Sequence, residues 1–378
     1  MDFELTSKHE MFRTLFREFA EKEVSPLASE LDESGEFPLD TVKKMEKLGF
    51  MGIPFPKEYG GAGADNITYI LAIEEIAKAC ATTSIILAVH MLSSFGIYLF
   101  GNSEQKKKYL IPMAQGKSLG AFALTEPNAG TDASNQQTTA VLEGDEYVLN
   151  GTKIFITNGG YADTYIVTAM TDQSKGLKGI SAFIVEKGTP GFSFGKKENK
   201  MGIRASSTTE LIFQECRIPK ENLLKKEGDG FKIAMKCLDG GRISIAAEAL
   251  GLAQAALDEA VRYANERQQF NKPIASFQAI QWMIADMATR VECARMLVYH
   301  AAWLKDNNKP YGKESAMAKL YASETASFCA NKAVQIHGGY GYMKEYKVER
   351  LLRDSRITEI YEGTSEAQRM VIARAALK

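Results

Sequence analysis

Leu119-Gly120-Ala121-Phe122-Ala123-Leu124-Thr125-Glu126-Pro127-Asn128-Ala129-Gly130-Thr131-Asp132 is the stretch on which the reading of the fold turns. Before it, apolar residues recur at helical spacing; from Leu119 onward they alternate or run in short blocks. The run 119–124 has the length and composition of a strand. The Pro, Gly and hydroxyls that follow read as a loop able to offer backbone N–H groups and side-chain donors to an anion or a heterocycle edge. Taken alone, it is also an ordinary polar turn.

Upstream, Met11, Leu15, Phe16, Phe19, Ala20 and Val24 predict a helix over 7–32, and Pro38 opens another through Leu39, Val42, Met45 and Leu48. Residues 67–99 predict two more. The first is amphipathic through Ile70, Leu71, Ile73 and Ile76; the second is apolar almost all round. His90, Ser93, Ser94 and Gly96 make that second helix a poor membrane span and a good buried one. Ser103 is expected to cap a short helix ending near Met113.

Downstream, β-rich runs occur at 147–149, 153–156, 164–167, 180–185 and 210–213, punctuated by Glu143-Gly144-Asp145 and Asn158-Gly159-Gly160. Strands do not alternate with helices, so a Rossmann sheet is not indicated. After Gly228-Asp229-Gly230 the helical period returns over 231–263, 276–305, 313–337 and 365–377. The inner faces there carry Ile233, Leu238, Ile245, Leu250, Leu257, Ile280, Ile284, Met287, Val291, Met317 and Leu320. The expected class is mainly α with a β insert. It comprises an N-terminal helical domain (1–117), a middle antiparallel β-domain (118–225) and a C-terminal four-helix bundle domain (226–378).

Among the 378 residues, 46 basic and 47 acidic side chains nearly cancel, which removes the footprint of a nucleic-acid binder. The five cysteines are scattered and never form C-x-x-C, so buried thiols are expected rather than a disulfide framework or a zinc site. His9, His90, His300 and His337 show no paired metal spacing, so no metal is expected. Met1-Asp2-Phe3-Glu4 lacks the pattern of a signal or transit peptide; the expected location is cytoplasmic, without a membrane role.

Gly116-Lys117-Ser118 lacks the earlier glycine of a P-loop, and Gly338-Gly339-Tyr340-Gly341 and Gly60-Gly61-Ala62-Gly63 lack dinucleotide-fingerprint spacing. Ile360-Tyr361-Glu362-Gly363-Thr364-Ser365-Glu366 places a carboxylate between an aromatic residue and a glycine just before the last helix. By itself this is a capping box of Ser365 and Gln368 preceded by a solvated acid.

Together, 124–132, 153–158, Leu238-Asp239-Gly240-Gly241-Arg242, 266–270, 335–342 and 360–369 occur in the order and approximate spacing of acyl-CoA dehydrogenases, and the chain resembles that family over essentially its whole length. Met201-Gly202-Ile203-Arg204, 215–220 and Ala316-Met317-Ala318-Lys319-Leu320 are most similar to the short-chain, butyryl-CoA branch, including its anaerobic bacterial members.

The resemblance implies the family's three-domain fold, FAD as cofactor and α,β-dehydrogenation of a short-chain acyl-CoA, butyryl-CoA to crotonyl-CoA or the reverse. Glu362 matches the α-proton base. Phe122, Leu124, Thr125, Gly130, Thr131, Phe155, Ile156 and Thr157 match positions lining the flavin. Arg267, Phe270, Gln278, Gln335, Gly338 and Gly339 match those holding the pyrophosphate and adenosine across a subunit boundary, with Thr364 and Glu366 completing the cofactor contacts. Thr131, Leu238, Asp239, Arg242, Tyr361 and Gly363 match substrate positions. An electron-transferring flavoprotein as electron partner and a homotetramer are implied.

Some members carry the base immediately before the arginine equivalent to Arg242; here that residue is Gly241. Asn128 replaces a common glycine, Thr131 a common serine and Phe155 a common tryptophan. An oxidase or decarboxylating dehydrogenase on the same scaffold, and a non-catalytic CoA-binding scaffold, remain alternatives. Oxygen reactivity, product analysis and flavin colour separate them.

Overall fold

The structure is a computed structural model that describes residues 4–377, so Met1, Asp2, Phe3 and Lys378 lie outside the described residues. α1 (Ser7–Phe19) starts at Thr6, whose hydroxyl accepts from His9 N. The expected single helix over 7–32 is broken. After α1 the backbone widens into a π turn at Ala20–Val24, tightens to 3-10 at Ser25–Leu27 and resumes as α2 (Ala28–Ser34). Pro26, with no N–H and a ring that blocks the preceding turn, accounts for the break.

α3 (Leu39–Lys47), α4 (Asn66–Ala79) and α5 (Ala81–Phe100) follow. α4 is not amphipathic as expected: Thr68 through Ala77 are all buried, because α1 and α5 cover it from within the same segment and later helices from outside. Its acids are neutralised inside. Glu75 receives Arg13 Nε at 2.8 Å, and Glu74 pairs with Arg295 and accepts from Tyr299 Oη at 2.8 Å. α5 is long and apolar enough to cross a membrane, yet most of it lies buried in the protein. α6 (Ser103–Gln105) and α7 (Ile111–Ala114) flank a second π turn at Lys106–Leu110. The cap of α6 is Asn102 with Gln105, one residue before the expected Ser103.

A seven-stranded sheet follows, in the order β1-β4-β2-β3-β7-β6 with β5 also paired to β4. Its members are β1 (Gly120–Ala123), β2 (Thr139–Glu143), β3 (Glu146–Thr157), β4 (Thr164–Met170), β5 (Ile180–Glu186), β6 (Phe192–Lys197) and β7 (Thr208–Pro219). It is not antiparallel throughout. β1 runs parallel to β4, with Gly120 opposite Thr164, and β2 meets β4 in parallel at Thr139–Met170. β3 is one strand where two runs were expected, bulged between Leu149 and Gly151 and again between Lys153 and Ile156. A bulge re-aims side chains beside a site.

The last segment holds α8 (Gly230–Glu266), the hairpin β8 (Gln268–Gln269) and β9 (Lys272–Pro273), then α9 (Gln278–Asp306), α10 (Gly312–His337), α11 (Lys347–Ile357) and α12 (Ser365–Ala376). α8 and α10 pack through buried alanines, among them Ala246, Ala249, Ala253, Ala318, Ala322 and Ala326, which let the axes approach closely. Met317, expected on an inner face, is instead exposed. Cys80, Cys216, Cys237 and Cys329 are buried free thiols; Cys293 departs from expectation by lying exposed on α9.

Candidate active site

The loop between α11 and α12 carries Glu362. Ile360 and Tyr361 donate back to Ile357 O at 2.9 and 3.1 Å, and Ser365 N closes the loop onto Glu359 O at 2.9 Å. Between these ties the backbone is left-handed at two consecutive residues, Glu362 (φ +50°) and Gly363 (φ +96°). Glycine adopts this freely; a glutamate there is held against its preference, by about 1–3 kcal/mol.

The helix that follows is capped by Thr364, whose Oγ1 accepts from Ala367 N at 3.2 Å. The Ser365–Gln368 capping box does not form. The helix begins one residue earlier than that box requires, so Ser365 Oγ has no partner and Gln368 Nε2 instead donates to Gly363 O at 2.8 Å and Glu362 O at 3.4 Å.

Glu362 points at the middle of α8. A Cβ on Gly241 would collide with Glu362 Oε2 and would sit 3.1 Å from Leu92 Cδ1 of α5. The missing side chain at 241 is therefore the space in which the carboxyl stands. Oε2 is sealed from solvent and has no hydrogen-bond partner, although the residue is part-open to the cleft. Burial pushes the carboxyl up to about 7, against the opposing charges of Lys319 and Arg242. Arg242 is itself engaged by Asp239 at 2.8 Å. That carboxyl is raised by burial, with Arg242 and Lys236 opposing.

Seven positions further along α8, Glu248 is fully buried beside the Tyr361 hydroxyl. Neither Glu248 carboxyl oxygen nor that hydroxyl completes a hydrogen bond with a protein group. Burial holds Glu248 well above the ordinary carboxylate value, with Tyr361 opposing and Glu362 reinforcing the shift. Tyr69 Oη donates to Ser244 Oγ at 3.1 Å nearby.

The second wall comes from the sheet. Leu124 and Thr125 leave β1 alongside β3, with Ile154 N donating to Thr125 O at 2.9 Å. Beneath them Lys153, fully buried, donates to Glu126 Oε1 at 2.7 Å, Gln136 Oε1 at 2.9 Å and Leu124 O at 3.1 Å. The Glu126 carboxylate also accepts from Gln137 N and Thr138 N, which pins the loop at both ends. Burial lowers Lys153 to about 8 while Glu126 raises it. Phe122 and Ile156 are buried, Leu124, Thr125 and Thr157 half-buried, and Gly130 and Thr131 exposed. Phe155 sits at the bulge with φ +58° and its ring 59% exposed, turned out of the sheet where a planar ligand can lie.

The residues expected to hold pyrophosphate and adenosine fall into two groups. Arg267, Gly338 and Gly339 line a cavity of about 570 Å³ with Tyr263, His337 and Tyr340. The Arg267 guanidinium lies 5.5 Å from the Tyr340 ring centre, and His337 stacks on Tyr263 at 4.1 Å with its Nε2 unpartnered. Phe270, Gln278 and Gln335 do not line this cavity and are exposed, as is Glu366. Leu238 is half-buried on α8.

A guanidinium sharing a cavity wall with open glycines, an orphaned imidazole nitrogen and a re-aimed aromatic beside a pinned loop suit a dinucleotide with an anionic bridge and a flat heterocycle. The residues present fit FAD.

Sequence reasoning missed four contributors. Glu248 shares a helix face with Gly241 at heptad spacing, and Lys319 is a lysine set among the alanines of α10; both patterns were available. Leu92 and the Lys153–Glu126 pair gave no separate signal.

The family descriptions "Acyl-CoA dehydrogenase, N-terminal domain", "middle domain" and "C-terminal domain" match residues 6–117, 121–216 and 228–377. The short-chain specific acyl-CoA dehydrogenase of Clostridium acetobutylicum is 59% identical over 99% of both chains. The solved butyryl-CoA dehydrogenase of Megasphaera elsdenii superposes with a TM-score of 0.99 at 52% identity over 100% of both chains. A chain solved in work on the electron transferring flavoprotein of Acidaminococcus fermentans and flavin-based electron bifurcation gives 0.99 at 56% identity, also over 100% of both.

Proposed function

This chain belongs to the acyl-CoA dehydrogenase family, and from that premise we propose that it interconverts short-chain acyl-CoA and 2-enoyl-CoA, butyryl-CoA and crotonyl-CoA foremost, with Glu362 as the base that takes the α-proton. One observation carries the reading: a buried, partnerless carboxyl oxygen standing over a glycine, with its proton affinity raised to neutrality. A base is most useful when its pKa lies near the working pH.

FAD is the cofactor, and when bound it supplies the acceptor for the hydride that leaves the β-carbon. Glu362 Oε2, standing in the space that Gly241 leaves open, receives the α-proton. Among the described residues none accepts from the Glu362 N–H, so that donor is free to stabilise negative charge on the thioester oxygen. Asp239 and Arg242, tied to each other, hold the α8 side of the CoA path. Glu248 closes the acyl channel: it lies about 10 Å along the helix from Gly241, room for a short acyl chain before a polar end.

Thr131, Leu238, Tyr361 and Gly363 complete the substrate surface. Phe122, Leu124, Thr125, Gly130, Thr131, Phe155, Ile156 and Thr157 hold the flavin end of FAD, with Thr364 and Glu366. Arg267, Phe270, Gln278, Gln335, Gly338 and Gly339 hold the nucleotide end from a neighbouring subunit. The exposure of Phe270, Gln278 and Gln335 supports that division, and with it a homotetramer. Electrons pass to or from an electron-transferring flavoprotein in the cytoplasm; the relative solved in work on such a flavoprotein supports the partner.

The test is anaerobic addition of butyryl-CoA to the yellow protein. The wild type bleaches rapidly; Glu362→Gln keeps FAD and loses about 10²–10⁴-fold or more in rate. Undiminished bleaching in the variant overturns the base assignment.

A further inference from the structure

Lys319 stands on α10 among the buried Ala318, Ala322 and Ser323, fully out of solvent. An ammonium in such a place needs compensating partners. Its Nζ donates to Gly363 O at 2.7 Å, the carbonyl that Gln368 Nε2 also holds at 2.8 Å. Two donors from two helices thus converge on the Gly363–Thr364 peptide, which closes the left-handed pair Glu362–Gly363. That grip anchors the loop one residue after Glu362, and Gln368 Nε2 reaches the Glu362 carbonyl as well at 3.4 Å.

The charges around the lysine are Glu362, Glu359 and Glu366 from the loop and its flanking helices, and Arg242 from α8. Around Glu362 they are Lys319 and Arg242, while Glu248, Tyr69 and Tyr361 are the titratable groups on which its own charge acts. Arg242 is shared with Asp239 and Glu359 with Arg356. Among the described residues Lys319 forms no ion pair with a carboxylate, and its side-chain hydrogen bond goes to the base loop.

We propose that Lys319 is a positioning residue of the base loop: its ammonium fixes the Gly363 carbonyl, and with it the left-handed turn through Glu362, and supplies the positive charge against which the Glu362 carboxylate is held. The inference rests on the assignment of Glu362 as base. It gives α10 a function that its alanines do not suggest.

The sign of the electrostatic effect is definite. The base works ionised, so the reductive rate rises with pH through the value of Glu362, about 7. Lys319, itself lowered to about 8 by burial with Glu362 opposing, carries its charge over the lower part of that limb. Its charge favours the carboxylate, so removing it moves the limb to higher pH.

The experiment is the pH dependence of anaerobic bleaching by butyryl-CoA in Lys319→Gln, Lys319→Met and Lys319→Arg, with flavin content and melting temperature followed alongside. Gln can still donate to Gly363 O but carries no charge. Its limb is expected to move up by about one unit or more, a loss of about tenfold at neutral pH that alkaline pH restores. Arg, keeping the charge, leaves the limb in place; Met moves it and lowers the plateau as well.

A Gln limb at the wild-type pH, an Arg limb that moves as far as the Gln limb, or loss of flavin in both uncharged variants would leave Lys319 a structural lysine and overturn the proposal. Glu362→Gln run beside them separates the two failures. Bleaching that survives there removes the base itself, whereas an inert Glu362→Gln with an unmoved Lys319→Gln limb removes only the lysine's role.

Discussion

Glu362 and Gly241 lie 121 positions apart and act as one unit, because the carboxyl occupies the volume a side chain at 241 would take. This makes Gly241 a functional glycine by close approach rather than by backbone freedom. In Gly241→Ala the added methyl meets Glu362 Oε2 and Leu92, and the flexible carboxyl is the group that yields. A displacement of this kind is expected to cost about 100-fold in the bleaching rate, with FAD binding and melting temperature near the wild type. A variant as fast as the wild type would show that the base does not use this space. The motif around Glu362 was legible in the sequence; the raised proton affinity was not, since it comes from burial under α5, α8 and α10.

At the level of elements, the informative case is β3, where a bulge between Lys153 and Ile156 turns Phe155 outward while Lys153 stays fully inside. Lys153 and Glu126 form a buried pair that ties the loop after β1 to the strand beneath it. Lys153→Met leaves the Glu126 carboxylate buried without its counter-charge, and a loss of about 3–5 kcal/mol of stability is expected, read as a lower melting temperature together with weakened FAD retention. Because Glu126 is held below its ordinary value, chiefly by Lys153 against burial, its contribution is present above the unfolded carboxylate value and is lost as pH falls through the lower folded one.

The long helices α8, α9 and α10 were read correctly from period and length, whereas the helix expected over 7–32 is broken and β2, β6 and α11 escaped notice. β2 and β6 expose much of their length and lack the apolar repeat on which a sequence reading depends; α11 carries that repeat in Val348, Leu351 and Leu352, but is short and rich in charge. α4 misled in the opposite sense: Glu74 and Glu75 look like a solvated face, and only their arginine and tyrosine partners from α1 and α9 make that face an interior one.

On the scale of the molecule, α11 joins the three segments. Arg353 binds Asp32 at 3.0 and 2.6 Å and Met201 O at 3.2 Å, and Asp354 Oδ1 accepts from Ile203 N at 2.6 Å. The base loop leaves from this crossing point, so its position depends on all three segments at once. The hairpin β8–β9 does the reverse and projects Phe270 outward, 86% exposed. A large apolar side chain at such a tip is expected to be covered by a second copy that completes the nucleotide end of the site. Phe270→Asp should therefore dissociate the oligomer in sedimentation and weaken FAD binding, while an unchanged mass and flavin content would remove the hairpin from the interface.

The order of helical, β and helical segments was determined by the sequence alone, because hydrophobic period is local, and the motif around Glu362 suggested a base only through its resemblance to the family. Tertiary structure decided which glycine faces Glu362, which lysine touches its loop and which carboxyls are raised by burial. Those depend on burial and on contacts between residues far apart in the chain, and a local pattern records only that a face is covered, not by what.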